Sequence, residues 1–227
     1  MSLEGYPIVE QLKLEEALLR ADGENWCLIN RGSSPAIVMG ISQVPEQAVN
    51  FELIRDQSIP LVRRYSGGGT VFVDEHTFFV SLIMNHSALP CDPFPKDVMD
   101  WTSTLYQQLP FSLKENDYVI GEKKCGGNAQ YFTKDRFSHH TSFLWDYSPE
   151  KMDYLLHPKK KPAYRQERNH QEFLCSLKPH FPQLNDLKNA FIEVLSGTFE
   201  LLHRTREEAE EAQNKTHRSV THLIVDT

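Results

Sequence analysis

Leu61-Val62-Arg63-Arg64-Tyr65-Ser66-Gly67-Gly68-Gly69-Thr70-Val71-Phe72-Val73-Asp74 is the stretch on which the reading of the fold turns. Both ends have strand character, Ile59 to Val62 on one side and Val71 to Val73 on the other, and three consecutive glycines lie between them. Three residues without Cβ atoms let the backbone take positive φ and aim several amide N–H groups at one point, an arrangement that suits a phosphate or a carboxylate. A flexible hairpin turn has the same composition, so the loop alone does not decide between the two. Two familiar nucleotide loops are excluded. No Lys-Ser/Thr pair closes the run as a P-loop requires, and Phe72 stands where GxGxxG needs a glycine.

Outward from the loop, helical and extended patterns alternate. Leu14, Ala17, Leu18 and Ala21 fall at helical spacing with Gly23 as a stop. Trp26 to Ile29 and Ala36 to Met39 read as a strand pair joined by the turn residues Arg31-Gly32-Ser33-Ser34-Pro35. A helix is predicted near Gln47 to Asp56, a buried strand over Phe78 to Met84, and a helix over Lys96 to Leu109 that puts Val98, Trp101 and Leu105 on one face. Tyr118 to Ile120 is a short strand leading to Lys123 and Lys124. Leu187, Ala190, Phe191 and Val194 mark a later helix, and the Glu- and Ala-rich Arg206 to Gln213 another. The class is α/β, of the α+β type, with a mixed central sheet flanked by helices. Ser176 to Asn185 is a local connection, and with no Gly/Ser linker or repeat to divide the chain, one domain over residues 1–227 is expected.

Composition narrows the function classes. The 227 residues carry 24 Lys and Arg against 31 Asp and Glu, a formal net charge of −7, which argues against a nucleic-acid partner. Cys27, Cys91, Cys125 and Cys175 are scattered, without a CxxC pair or a close Cys/His cluster, so no protein metal site is expected and the thiols read as reduced. The N-terminal segment lacks the basic flank and apolar run of a signal peptide. The longest apolar run, Phe78 to Met84, is far below the ~20 residues of a membrane helix. A cytoplasmic location and no membrane partner follow as expectations.

With these features in place, the loop resembles the RRxSGGGxVxxD signature of the lipoate ligase and biotin ligase superfamily. A second stretch completes the likeness: Asn116-Asp117-Tyr118-Val119-Ile120-Gly121-Glu122-Lys123-Lys124-Cys125-Gly126-Gly127-Asn128-Ala129-Gln130 resembles the family segment with an Asn-Asp pair followed by Lys-x-x-Gly-x-Ala. Lys124, not Lys123, carries the residue types that follow the family's catalytic lysine. Arg136-Phe137-Ser138-His139-His140-Thr141-Ser142-Phe143-Leu144 is similar to the family's His-His-Gly-Thr-Leu segment, and His157-Pro158-Lys159-Lys160-Lys161 to a Pro-x-Lys-Lys-Lys stretch. The likeness runs from Leu12 to Leu177, and the glycine loop is closer to the lipoate branch than to the Gly-Arg-Gly-Arg type of biotin ligases.

The resemblance implies a lipoate–protein ligase catalytic domain that activates lipoate or octanoate with ATP to an acyl-adenylate and passes the acyl group to a lysine. A cation aimed at the developing charge helps a weak carboxylate nucleophile attack the α-phosphate, and Lys124 is assigned that catalytic role. Arg64, Ser66, Gly67, Gly68, Gly69, Thr70, Val71, Phe72, Asn116, Asp117 and His140 are assigned to substrate and nucleotide binding. His139 is unassigned, and paired histidines taken alone suit packing equally well. ATP with Mg²⁺ and lipoate are the implied ligands. The implied partners are apo lipoyl domains of 2-oxoacid dehydrogenase complexes and the glycine cleavage H protein.

Three departures qualify the likeness. Gly40 is followed by Ile41-Ser42 where many ligases have an arginine. Glu75-His76-Thr77 occupies a place where some carry an asparagine, with His76 as the candidate replacement. No C-terminal accessory domain is expected within the chain, which leaves room for a separate accessory chain. A lipoyl or octanoyl transferase of the same fold, working from a pre-activated donor, is the alternative. It needs a cysteine nucleophile, for which Cys125 beside Lys124 is the candidate.

Overall fold

A computed structural model describes residues 1–158 and 161–224, so Lys159 and Lys160 of the expected lysine run lie outside the described residues. In chain order the elements are β1 (Ser2–Glu4), α1 (Ile8–Ala21), β2 (Trp26–Arg31), β3 (Ala36–Met39), α2 (Pro45–Ala48), α3 (Phe51–Ile54), β4 (Leu61–Arg63), β5 (Thr70–Val73) and β6 (Thr77–Asn85). They continue as α4 (Pro95–Leu105), β7 (Ser112–Lys114), β8 (Asp117–Ile120), β9 (Lys123–Phe132), β10 (Arg136–Leu144), α5 (Pro149–Met152), α6 (His170–Phe173), α7 (Leu184–Ser196), α8 (Arg206–Glu210) and β11 (His222–Ile224). Among the described residues no helix is long and apolar enough to cross a membrane.

The strands form two sheets, a seven-stranded one in the order β1-β2-β6-β10-β9-β8-β7 and a four-stranded one in the order β11-β4-β3-β5. Each mixes parallel and antiparallel pairs, with β1 parallel to β2 and β3 parallel to β4. The fold is thus the expected mixed α/β arrangement flanked by helices, with the strands shared between two sheets in place of one central sheet.

β6 explains the larger sheet. It lies between β2 and β10, and its near-continuous apolar run is what a strand covered on both faces requires. Alternate residues serve different cores. Phe78, Val80, Leu82 and Met84 pack with Val98 and Trp101 of α4 and Leu187 and Phe191 of α7. Phe79 and Ile83 pack with Leu14, Ala17 and Leu18 of α1, with Val38 and Val62 of the smaller sheet and with Tyr65 of the loop after β4. A third core, around Ile37, Phe72, Met152 and Phe173, joins the outer face of the small sheet to the segment after β10.

Two sequence expectations are corrected. β2 and β3 are not a strand pair, because β2 joins β6 in the large sheet while β3 joins β4 and β5 in the small one. Arg31 to Pro35 therefore turns the chain from one sheet to the other; the turn chemistry is local, but strand partnership is not. The helix expected over 47–56 is broken into α2 and α3 around Val49, which makes a β-bridge to Leu155.

Candidate active site

β4 and β5 flank β3 on opposite sides, so the glycine run between them is not a hairpin turn; it crosses the end of β3. The crossing is tight. Gly40 N–H donates to Gly69 O at 3.1 Å and Ile41 N–H to Ser66 O at 3.0 Å. A Cβ added to Gly40 would collide with the carbonyl oxygen of Gly68, so the residue after β3 has to be glycine. Gly68 itself has φ +98°, in the region that disfavours side chains.

Arg64 holds this geometry from inside. Its guanidinium donates to Gly67 O from Nε at 3.1 Å and Nη2 at 2.7 Å, and to Gly69 O at 2.9 Å. Burial lowers its pKa to about 10, which leaves it charged at neutral pH. The partners of Arg64, expected to bind the nucleotide, are thus loop carbonyls. Gln43 Nε2 donates to Gly68 O at 3.2 Å, so the carbonyls of Ser66, Gly67, Gly68 and Gly69 all accept bonds from the protein. Their amide N–H groups have no acceptor among the described residues. Carbonyls bound inward and amides left open make the polarity of an anion-binding nest.

Other assigned residues of this stretch divide by strand alternation. Phe72, also assigned to binding, has its side chain buried in the third core with its ring 5.6 Å from that of Tyr154. Val71 packs at the edge of the inter-sheet core. The Thr70 hydroxyl is buried with no partner among the described residues. Asp74 is buried and paired with Lys151 at 3.0 Å, while His76 sits in the turn before β6 with its ring 5.9 Å from Trp145.

Lys124 belongs to β9, where the register with β8 is irregular between Tyr118 and Val119. Its Nζ lies 2.8 Å from Asp117 Oδ1. A Cβ on Gly127 would stand 2.9 Å from that Nζ, so the glycine after the lysine makes room for the side chain to lie back along its own strand. Asn116 contributes its backbone carbonyl, which accepts from Asn128 Nδ2 at 3.0 Å, and Asn128 Oδ1 accepts from the Thr141 hydroxyl at 2.6 Å. The two motifs meet here: a Cβ at Gly68 would be 3.8 Å from Asn128 O.

β10 supports both. Tyr65 of the loop donates its hydroxyl to Ser138 Oγ at 2.7 Å. On the same face His140 Nδ1 is 3.0 Å from Glu15 Oε1 and 2.9 Å from Ser81 Oγ. Burial pushes the Glu15 carboxyl up, but His140 together with hydrogen bonds from Ser81 and Gln11 outweighs it, leaving the carboxyl below its ordinary range. His139 points the other way. Gln130 Nε2 donates to its Nδ1 at 2.9 Å, and burial, then the neighbouring His140, lowers it to about 3, so it is a neutral packing residue.

The candidate transferase nucleophile finds no support. Cys125 Sγ is buried in the core of Tyr118 and Phe143, where it donates to Tyr118 O at 3.4 Å, and its thiol is pushed up by the neighbouring Cys175 and by burial. Cys175 packs against that same core with its Sγ donating to Lys123 O at 3.4 Å, and its thiol is lowered by the neighbouring Cys125.

Residues that the sequence did not single out complete the site. Tyr164 donates its hydroxyl to Asp117 Oδ2 at 2.9 Å, and Glu115 accepts from the backbone of Ala163 and Tyr164. No local pattern marks either residue. Glu15 did carry a signal, an acid four residues after Gln11 on the apolar face of a helix. Among the described residues no group of three or more His, Cys, Asp or Glu could hold a metal ion. Two surface cavities, of about 420 and 410 Å³, are lined by neither motif.

Among curated proteins the chain is 28% identical over 255 residues to the inactive lipoate–protein ligase 2 of Plasmodium falciparum, covering 84% of this chain and 66% of that one. It spans two thirds or less of the length of the curated relatives it matches. A crystal structure of lipoate-protein ligase A bound with ATP superposes with a TM-score of 0.74 at 20% identity, covering 94% of this chain and 91% of that one. The bi-partite lipoate protein ligase of Thermoplasma acidophilum, solved in a study with its E2 lipoyl domain, gives a TM-score of 0.72 at 20% identity, covering 94% and 90%. Both share the fold. The family model of the lipoyl protein ligase A/B catalytic domain matches residues 7–196, and the chain belongs to that family.

Proposed function

We propose that this protein is a lipoate–protein ligase that joins lipoate or octanoate to ATP as an acyl-adenylate, with release of pyrophosphate, and then transfers the acyl group to a lysine of a lipoyl-domain protein with release of AMP. The observation that carries the reading is the approach of the open loop amides to the strand bearing Lys124. Amides of Ser66 to Gly69 receive the anionic end of the reactants, and the Lys124 ammonium faces the charge that grows on the α-phosphate and later on the acyl carbonyl. Arg64 acts by holding the loop carbonyls away from that charge.

Mg²⁺ would come with the nucleotide, since the described residues gather no cage of carboxylates for it and Mg²⁺ is commonly held by phosphates and water. A separate accessory chain, as the bi-partite Thermoplasma protein suggests, would complete the enzyme where adenylation requires one. The intact Lys124–Asp117 pair supports a working enzyme over a fold that has lost its chemistry. The transferase alternative has less support, because Cys125 is buried in the core beside Tyr118 and Phe143. The test is incubation with lipoate, ATP, Mg²⁺ and an apo lipoyl domain, following pyrophosphate and the mass of the acceptor. Pyrophosphate release with a lipoyl-sized mass gain is expected; neither signal, with or without the accessory chain, refutes the reading.

A further inference from the structure

Asp117 is a buried carboxylate between two donors, Lys124 Nζ at 2.8 Å on Oδ1 and the Tyr164 hydroxyl at 2.9 Å on Oδ2. While Lys124 rests on Asp117, its ammonium is not directed at a substrate. When it turns toward one, the carboxylate loses its cation, and a buried charge without a partner is costly. The nearby cations Arg165, Arg168 and Lys114 are engaged elsewhere: Arg165 Nε donates to Arg168 O at 3.2 Å and its Nη2 lies 3.4 Å from His157 Nδ1, Arg168 donates to backbone carbonyls, and Lys114 Nζ donates to Glu122 Oε1 at 2.7 Å. Tyr164 is the donor that stays.

Its place is fixed by contacts independent of Lys124. The short 3₁₀ turn Ala163–Arg165 is capped by Glu115, whose carboxylate accepts from Ala163 N at 3.1 Å and Tyr164 N at 3.0 Å. Arg168 ties the same turn to the hairpin between β8 and β9, donating to Tyr164 O at 2.5 Å and Glu122 O at 2.8 Å. The ring is 5.2 Å from that of Phe173. Burial and then the charge of Asp117 raise the phenol above its ordinary range, so the proton stays on the oxygen as a hydrogen-bond donor.

We propose that Tyr164 is a positioning residue that keeps Asp117 satisfied while Lys124 leaves it for the acyl phosphate, setting how readily the lysine enters catalysis. This rests on the reading of Lys124 as the group that serves adenylate formation.

Tyr164→Phe retains the ring and removes only the hydroxyl. Pyrophosphate release should slow about tenfold in kcat, with KM for lipoate and ATP changed by about twofold or less. In the free protein, an amine-reactive ester followed by peptide mass mapping should label Lys124 more slowly, because Asp117 with one donor holds the ammonium harder. Unchanged kcat, or labelling as fast as in the unsubstituted protein, overturns the proposal. Should Tyr164→Phe fail to fold, Glu115→Gln, which weakens the cap, replaces it with the same two readouts and a smaller kcat loss expected. If the unsubstituted protein releases no pyrophosphate, the ligase reading fails, while the labelling rates still decide whether Tyr164 governs Lys124.

Discussion

The glycine loop and the lysine strand bring their working groups to one place by opposite means. The loop is held by its own backbone and its nearest neighbours: Gly40, Ile41, Gln43 and Arg64 occupy its carbonyls, and the amides are left open. Lys124 is held by side chains, Asp117 from the preceding strand and Tyr164 from a turn forty residues further along the chain. In the proposed ligase, anion binding is thus built into a short motif, whereas the placing of the lysine cation needs partners recruited from a distance.

Lys124→Ala should have the largest effect, lowering adenylate formation by about a hundred- to a thousandfold without unfolding the protein. Pyrophosphate release beside a thermal melt checks it, and retained activity would strip the lysine strand of its part in the comparison. Gly40→Ala attacks the other side, forcing the Gly68 carbonyl to move at a cost of about 1–3 kcal/mol in stability. Denaturant titration measures that loss, and a neutral result would mean the crossing over β3 is not tight. Arg64→Lys keeps the charge but loses the fork shared by Gly67 O and Gly69 O, at about 2 kcal/mol. Its KM for lipoate and ATP should rise more than its kcat falls if the loop acts by binding.

Acid should loosen the lysine side through β10. His139 accepts from Gln130 of β9, and its pKa is lowered from 6.5 to about 3 in the folded chain. Between those values the unfolded chain binds a proton that the folded chain refuses. The stability this group contributes is thus complete above pH 6.5 and falls as pH drops toward 3, by up to about 1.4 kcal/mol per pH unit. Melting temperature against pH should show the decline, and His139→Gln should flatten it. The smallest effect belongs to Lys123→Ala, about twofold or less in rate, because exposed lysines contribute little. A loss as large as that of Lys124→Ala would reverse the assignment of the two lysines.

The sequence carried the loop, the lysine and the long amphipathic helices because each is a local pattern. Val98, Trp101 and Leu105 do line one face of α4, and Phe78 to Met84 is a strand buried on both sides. The pairing of β2 with β6 instead of β3 was not legible, since a turn says where a chain reverses and nothing of which sheet receives it. Phe72 and Arg64 show the same limit within the motif itself. Their place beside the glycines does not say where the side chains go: alternation along β5 sends the Phe72 ring to the core, and the loop's curvature turns the Arg64 guanidinium onto its own carbonyls. Tyr164 and Glu115 lie outside any motif, and only the folding of the later segment onto β8 and β9 brings them to Asp117.

The pairing of β10 with β9 ends at Gly126, and beyond it the backbone at Lys124 is bonded by a later piece of chain: Cys175 N–H donates to Lys124 O at 2.9 Å, and Leu177 N–H to Leu144 O at 2.9 Å. During synthesis, both signature motifs leave the ribosome well before that piece exists. A nascent chain ending before Leu174 contains every residue of the two motifs, yet the ladder beside its lysine is still open. The backbone of the strand that carries Lys124 is therefore completed only when a segment outside both motifs has been made.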